Sequence, residues 1–195
     1  MNIFVTGTDT GVGKTFVSGL LCMRFGYTYF KPIQTGAELD SKVVQEVFDV
    51  NIYPEVYRYS APLSPHIAAA MENDEIDINK ISLPYGKGLI IEGAGGLMVP
   101  INKKHFIIDL IKHLGTPVIL VSRTEIGTIN HTLLSIDALR KRGIEVLGVV
   151  LNGNANKHNA DSIKFYGNVR ILAEIPKLDV ITYRSLQSIS KTFKI

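Results

Sequence analysis

The sequence predicts a three-layer α/β/α fold, a parallel sheet with helices on both faces. Near-continuous runs of Val, Ile and Leu, most of them ending near a glycine, alternate along the chain with stretches of helical spacing. Parallel strands that are covered on both faces are typically apolar throughout, so these runs indicate a buried parallel sheet. The 195 residues, 46% hydrophobic and 20% charged, are also an ordinary size and composition for one globular domain spanning 1–195.

The predicted elements follow one another as strand, helix, strand for most of the chain. The strands are 2–5 (NIFV), 27–32 (YTYFKP), 88–96 (GLIIEGAGG), 117–122 (PVILVS), 145–153 (EVLGVVLNG) and 169–176 (VRILAEIP). The helices are 14–25, 41–50, 106–115, 128–143 and 159–167, and glycines end those at 115 and 143. The N-terminus lacks a basic region followed by an apolar one, so it is predicted to be a strand and not a signal peptide.

Composition excludes several classes of function. The net charge is only +3, and no basic stripe with interleaved aromatic residues is visible, so we expect no nucleic-acid partner. The single cysteine, Cys22, allows neither an intrachain disulfide nor a cysteine-based zinc site, and its apolar surroundings favour a core position. No apolar run is long enough to span a membrane. We therefore expect no membrane association and a cytoplasmic location.

A glycine-rich stretch follows the first strand and precedes the first helix. It reads GTDTGVGKT over residues 7–15, one residue longer than the usual Gly-x4-Gly-Lys-Thr phosphate loop. Gly11 and Gly13 allow backbone N–H groups to turn towards phosphate oxygens, and the helix N-terminus adds partial positive charge. Lys14 can reach the outer phosphates, and the Thr15 hydroxyl can ligate Mg²⁺. The stretch thus predicts a P-loop NTPase-type fold.

Three charged residues are expected near the carboxyl ends of the predicted strands, which is the edge where ligands of parallel sheets bind. Glu92 follows the apolar run GLII and is predicted to hold the metal, directly or through water. Lys31 lies at the end of the second strand, where a substrate would sit. Asp40, near the start of the next helix, is either a charge on the helix dipole or a second acid for the metal.

Two later segments provide candidate binding groups. Gly127 and Thr128 open a helix whose free N–H groups can hold an anion. Asn152 ends another strand, where its amide can read a purine edge or cap a turn. His131 is assigned no catalytic role.

With these residues assembled, the chain resembles the dethiobiotin synthetase family over about residues 1–176. The resemblance rests on GTDTGVGKT, FKPIQTG, APLSPHIAA, IIEGAGG, PVILV, GTINH and AEIP, which occur in this order. The longer glycine loop is that family's own form. Gly153 stands where the family often has an acid, and the segment after Pro176 is shorter than usual, so no preference among nucleotide bases is predicted.

The resemblance implies an ATP- and Mg²⁺-dependent reaction of a small-molecule diamine. The family closes a cyclic urea from 7,8-diaminononanoate and CO₂ through a carbamate and a carbamic-phosphoric anhydride. Lys31 and Lys14 would then be catalytic, Thr35 would contact the diamine, and Mg²⁺ would be held by Thr15, Asp40 and Glu92. The family is a homodimer with shared active sites, in which Gly127, Thr128 and Asn130 of the neighbouring subunit hold the substrate carboxylate. The implied nucleotide contacts are Thr10, Gly11, Val12, Gly13, Lys14, Thr15, Phe16, Asp40, Glu92, Gly93, Ala94, Gly95, Asn152, Ile175 and Pro176.

Other functions fit the sequence less well. Partitioning and positioning ATPases share the fold, but they carry a signature lysine five residues before the loop lysine, where this chain has Asp9. An amidating synthetase of the cobalamin pathway normally adds a glutaminase domain, for which 195 residues leave no room. A nucleotide-binding scaffold would not need Lys31 and Thr35 opposite the loop.

Overall fold

The computed structural model describes residues 1–86 and 88–195. Over these ranges the strands are β1 (Ile3–Gly7), β2 (Thr28–Phe30), β3 (Ile33–Thr35), β4 (Ile52–Tyr53), β5 (Tyr57–Tyr59), β6 (Leu89–Gly96), β7 (Val118–Arg123), β8 (Val146–Asn152) and β9 (Ile171–Ile175). The α-helices are α1 (Lys14–Phe25), α2 (Asp40–Phe48), α3 (Pro65–Met71), α4 (Ile107–Leu114), α5 (Thr128–Lys141), α6 (Lys157–Gly167) and α7 (Tyr183–Ser190). A 3₁₀ turn spans Ile78–Lys80.

A seven-stranded sheet in the order β4-β2-β6-β1-β7-β8-β9 forms the middle layer. Every pair of neighbouring strands in it is parallel, which confirms the predicted fold class. β1 lies at the centre, between β6 and β7. All strands therefore end at one edge, and the residues after β1, β2 and β6 are brought together there.

Helices cover both faces of this sheet. On one face α1, α2 and α7 pack through Leu20, Phe48 and Leu186, on the cluster that contains Val5 of β1. On the other face α3 and α4 pack on the cluster that contains Phe4, while α5 and α6 cover β7 and β8. Successive residues of β1 thus point to opposite layers, as a strand buried on both sides requires. Among the described helices, none is both long and apolar enough to cross a membrane.

Several elements were not predicted, namely β3, β4, β5, α3, α7 and the 3₁₀ turn. β3 and β5 form a separate two-stranded parallel sheet, and β4 adds two residues at the edge of the main sheet. These strands have only two or three residues each, too few for a pattern to be recognised. The C-terminal segment forms α7, which begins at a capping Thr182 and buries Leu186 against the core. Glu92 lies within β6, as the predicted strand over 88–96 implies, and so it does not end the strand.

The contact between α1 and α2 sets the distance between the glycine loop and Asp40. Gly19 of α1 lies directly beneath the ring of Phe48 in α2, and a Cβ at Gly19 would overlap that ring. The Phe48 ring also meets Phe16 edge to face, with ring centroids 5.5 Å apart. Both helices begin at the site, α1 at Lys14 and α2 at Asp40, so this contact fixes their relative position.

We predict that Gly19→Ala destabilises the protein by about 1–3 kcal/mol, because the added methyl group overpacks a close helix contact. Urea denaturation followed by circular dichroism measures the change. Adding Phe48→Leu should recover part of the loss, since the ring is removed, and Phe48→Leu alone is the control. An unchanged unfolding midpoint for Gly19→Ala would contradict this close contact.

Candidate active site

The glycine loop connects β1 to α1 and has the backbone conformation that its glycines allow. Gly11 and Gly13 have φ of 69° and 94°, values at which a side chain would be strained. Lys14 folds back over the loop, and its Nζ donates to the Asp9 carbonyl at 3.0 Å. The loop therefore curves around its own lysine.

Two side chains from neighbouring strands hold the loop from outside. Arg123, at the end of β7, donates to the Thr10 carbonyl at 2.7 Å. Asn152, at the end of β8, donates from Nδ2 to the Val12 carbonyl at 2.9 Å. In a planar trans peptide the N–H points opposite to the C=O, so these contacts turn the amides of Gly11 and Gly13 away from Arg123 and Asn152. Neither of these two hydrogen bonds to the loop was predicted from the sequence.

A cluster of buried polar groups lies beside the loop, centred on Glu92, whose side chain is 1% exposed. Its Oε1 accepts from the Thr15 hydroxyl at 2.9 Å and from Lys31 Nζ at 3.3 Å. Its Oε2 accepts from the Tyr29 hydroxyl at 2.9 Å. Lys31 also forms an ion pair with Asp40, so one ammonium group joins two carboxylates.

Burial and charge act differently on the two lysines. Burial lowers the pKa of Lys14 and the positive charge of Lys31 lowers it further, although Glu92 and Asp40 oppose this. Burial also acts to lower the pKa of Lys31, but the carboxylates of Glu92 and Asp40 outweigh it, and this pKa is raised. Lys31 therefore stays protonated between the two acids.

Gln34 positions Asp40, a role that the sequence did not indicate. Its Nε2 donates to the carbonyls of Thr35 and Glu38, at 2.9 Å and 3.0 Å. Its Oε1 accepts from the Asp40 N–H at 3.4 Å. Gln34 is only 3% exposed, so its amide fixes the turn between β3 and α2. Asp40 lies in the first turn of α2 and also lines the cavity, so its position is compatible with either predicted role, a charge on the helix dipole or an acid for the metal.

The predicted phosphate, metal and diamine residues meet in one cavity of about 640 Å³. The predicted residues that line it are Thr10, Gly11, Gly13, Lys14, Thr15, Lys31, Thr35, Asp40, Glu92, Ala94 and Gly95. The rest of the lining, Pro62, Leu63, Ser64, Pro65 and Val99, was not assigned to the site. Residues 62–65 lie within the APLSPHIAA stretch, so a signal for them was present in the sequence.

Some predicted nucleotide residues do not line this cavity. Val12 is buried beneath the loop, Phe16 packs on Phe48, and Gly93 lies against Phe4 and Ile107. Ile175 is buried with its side chain in the core, and Pro176 is exposed beside it. Their contacts with a nucleotide stay predictions.

The segment predicted to bind a carboxylate also lies outside the cavity. Gly127 and Asn130 are exposed at the start of α5. Thr128 is buried, and its hydroxyl donates to the Arg123 carbonyl at 2.6 Å and contacts Ser122 Oγ at 2.7 Å. The Thr128 hydroxyl is thus occupied within its own chain, whereas Gly127 and Asn130 remain open to a ligand.

The donors near Glu92 have the chemistry that Mg²⁺ prefers. Thr15, Asp40 and Glu92 present hydroxyl and carboxylate oxygens, the hard ligands of this ion, and Mg²⁺ usually retains waters or phosphate oxygens as its other ligands. Over residues 1–86 and 88–195 no group of three or more His, Cys, Asp or Glu side chains could hold a metal by protein ligands alone. The oxygens of Thr15, Asp40 and Glu92 suit an ion that keeps waters or phosphate oxygens among its ligands.

The fold and the loop define the class: an α/β protein with a P-loop, built to bind a nucleoside triphosphate at the carboxyl edge of its sheet. A family model described as an AAA domain matches residues 1–185. The chain is 50% identical over 194 residues to the ATP-dependent dethiobiotin synthetase BioD of Lawsonia intracellularis, covering 98% of this chain and 96% of that protein. It is 40% identical over 228 residues to the protein of the same name from Neorickettsia sennetsu, covering 97% and 92%. The chain belongs to the dethiobiotin synthetase family.

Solved structures share the fold at low identity. The septum site-determining protein MinD of Pyrococcus horikoshii, complexed with Mg-ADP, superposes with a TM-score of 0.61 at 18% identity, covering 100% of this chain and 99% of that one. A ParA family ATPase of Chlorobium tepidum superposes with a TM-score of 0.55 at 10% identity, covering 98% and 91%. These likenesses show the fold alone. The sequence identity to the synthetases is much higher than the identity to these ATPases, so the partitioning-ATPase alternative is not favoured.

We predict that Asn152→Ala weakens the binding of ATP and of GTP by the same factor, about fivefold, because it removes one hydrogen bond that orients the loop. Isothermal titration calorimetry with both nucleotides measures the two affinities. Asn159→Ala, which removes a nearby amide bonded to the Thr124 carbonyl, is the control. A loss confined to ATP would instead assign the Asn152 amide to the base.

Proposed function

We propose that this chain is an ATP- and Mg²⁺-dependent dethiobiotin synthetase that acts on 7,8-diaminononanoate and CO₂ in biotin biosynthesis, with residues 1–195 as one catalytic domain working in the cytoplasm. The observation that carries the proposal is the shared cavity of Lys14, Thr15, Lys31 and Glu92. It joins a phosphate loop to a second, protonated lysine. The carbamate and the γ-phosphate are both anions, so a phosphoryl transfer between them needs positive charge beside each of them.

The proposed reaction has three steps. One amine of the substrate adds to CO₂, loses a proton and becomes a carbamate. A carbamate oxygen attacks the γ-phosphorus of ATP and ADP leaves, which gives a carbamic-phosphoric anhydride. The second amine attacks the carbonyl carbon and loses a proton, the bond to the phosphate oxygen breaks, and the cyclic urea and inorganic phosphate result.

Lys31 is proposed to stabilise the carbamate and the phosphoryl group in transfer. In the structure its ammonium group is bound to Asp40 and Glu92, the two acids assigned to the metal. These acids would hold Mg²⁺, which would supply positive charge for the phosphate oxygens of the nucleotide. Lys31 itself lines the cavity, so its ammonium group lies beside the place proposed for the carbamate. Lys14, on the loop side, is proposed to hold the outer phosphates.

The wall opposite the loop is proposed to keep the labile anhydride dry. Pro62, Leu63, Pro65 and Val99 supply apolar surface to the cavity. Thr35, at the end of β3, is proposed to contact the diamine. Exclusion of water from such a site strengthens its charge interactions and slows hydrolysis of the intermediate.

The base end of the nucleotide is proposed to lie at Asn152, Ile175 and Pro176. Asn152 pairs with Ile175 in the sheet register, and the Gly153 N–H donates to the Ile175 carbonyl at 2.8 Å. These residues end β8 and β9 on the same edge of the sheet as the loop.

The active form is proposed to be a homodimer in which α5 of one subunit serves the other. Gly127, Thr128 and Asn130 line no part of the cavity described above, although the helix start can hold a carboxylate. Ile126 is fully exposed beside them, and Met98 and Leu134 are 53% and 60% exposed near the loop. An apolar surface next to an active site is typical of a contact with a partner, and a second subunit would bring its own α5 to that contact.

The direct test is incubation of the protein with 7,8-diaminononanoate, bicarbonate and MgATP. We expect mass spectrometry to detect dethiobiotin, with one ADP formed for each product molecule. Lys14→Ala should reduce the rate about a hundredfold, because it removes a charge beside the transferring phosphoryl group. Nucleotide hydrolysis without dethiobiotin would refute the proposed activity, while a Lys14→Ala variant with more than half of the normal rate would refute only the role of the loop.

The two acids give a separate prediction. Asp40→Asn and Glu92→Gln should each raise the Mg²⁺ concentration for half-maximal activity by at least about tenfold. This is the smaller loss of metal affinity that is typical when a group supporting a metal site is removed. Initial rates over a Mg²⁺ series measure this. Asp137→Asn, an exposed acid paired with Lys141 on α5, is the control. Unchanged metal dependence in Asp40→Asn would leave Asp40 as a helix-terminal charge only.

The shared site can be tested by mixing two inactive variants. Asn130→Trp is suitable at the helix start because Asn130 is exposed, and Lys14→Ala inactivates the loop. If α5 serves the neighbouring subunit, one site of each mixed dimer has both changes and the other has neither. Mixing should then restore up to about one quarter of the normal activity, since half of the dimers are mixed and each has one intact site.

Native mass spectrometry must show that the subunits exchange in this experiment. If exchange occurs and no activity returns, α5 does not complete the neighbour's site.

A further inference from the structure

Tyr29 is a buried polar residue to which the proposed reaction gives no role. It lies in β2 beside Ile90 of β6, and its side chain is fully buried among apolar residues of the α1 and α2 layer. It lines no part of the cavity. Its hydroxyl donates to Glu92 Oε2 at 2.9 Å, on the side of the carboxylate away from Thr15 and Lys31.

The surroundings of Tyr29 suit an apolar ring better than a phenol. Its cluster includes Leu21, Cys22, Val44 and Ile90, all of them fully buried. A hydroxyl in such a place is unfavourable unless it has a partner, and Glu92 is that partner. The 2.9 Å contact has the phenol hydroxyl donating to the Glu92 carboxylate, which can only accept when it is ionised.

The other two donors to Glu92 are the ones that the reaction recruits. Thr15 and Lys31 both bind Oε1, and they are proposed to hold the metal and to stabilise the reacting groups, respectively. Tyr29 does not join them, because it is enclosed in the core between β2 and α1. Of these three donors, Tyr29 is the one that does not line the cavity.

We propose that Tyr29 is a positioning residue for the metal: by holding Oε2, it fixes the carboxylate so that Oε1 faces the cavity. Groups that hydrogen-bond to a metal ligand on the side away from the metal set the orientation of that ligand, and their loss weakens metal binding. This inference rests on the proposed role of Glu92 as a metal ligand. It adds a residue that touches neither nucleotide nor substrate.

The test is Tyr29→Phe, which removes only the hydroxyl. We expect the Mg²⁺ concentration for half-maximal activity to rise about tenfold, while the KM for ATP at saturating Mg²⁺ stays within twofold. Electron paramagnetic resonance of Mn²⁺ with the protein and ADP should show the same loss of affinity without any turnover. A merely structural role for the hydroxyl would not shift the metal dependence alone.

Tyr59→Phe is the matched control. Tyr59 is also buried, and its hydroxyl donates to Asp74 Oδ2 at 2.7 Å, outside the cavity. We expect Tyr59→Phe to leave Mg²⁺ and Mn²⁺ dependence unchanged. Thermal unfolding of both variants separates a loss of stability from a loss of metal affinity.

Glu92→Gln distinguishes failure of this inference from failure of the proposed function. If Glu92→Gln weakens Mn²⁺ binding and Tyr29→Phe does not, the role of Tyr29 is refuted and Glu92 keeps its own. If neither variant changes Mn²⁺ binding, both assignments fall. If Tyr29→Phe and Tyr59→Phe weaken it equally, the effect is general destabilisation, and the positioning role is overturned.

Discussion

The carboxylate of Glu92 is the charge on which the architecture of this site depends. A carboxylate that is nearly excluded from water is costly unless hydrogen bonds and opposite charge compensate for it. Three donors do so here, and they come from α1, from β2 and from the residue after β2. The same acid therefore connects the glycine loop, the substrate-side lysine and the hydrophobic core. Thr15 and Lys31 meet at one point because both donate to the same buried carboxylate.

The glycine loop is held by its carbonyl groups, from Lys14, Arg123 and Asn152. Contacts to carbonyls leave amides free, and amides are the groups that bind phosphate. Loop conformation and anion binding are thus two results of one arrangement. The extra residue, compared with the usual loop, lies in the part that these contacts hold.

Much of the fold could be predicted because its signals are local. The buried strands are continuous apolar runs, and the long helices have clear spacing and end at glycines such as Gly115. The elements that were missed, β3, β4, β5, α3 and α7, are short or depend on contacts with distant parts of the chain. Leu186 makes α7 stable by packing on α1, which no local pattern can reveal.

The sequence by itself determined the phosphate loop, the family and the candidates Lys31 and Glu92, because glycine, lysine and carboxylate have few uses at such positions. Only the tertiary structure decided which oxygen of Glu92 each donor binds, that Gln34 holds Asp40, and that Tyr29 reaches the site from within the core. Those contacts join residues such as Tyr29 and Glu92, 63 positions apart. They depend on strand register and helix packing, and no single stretch of sequence contains either.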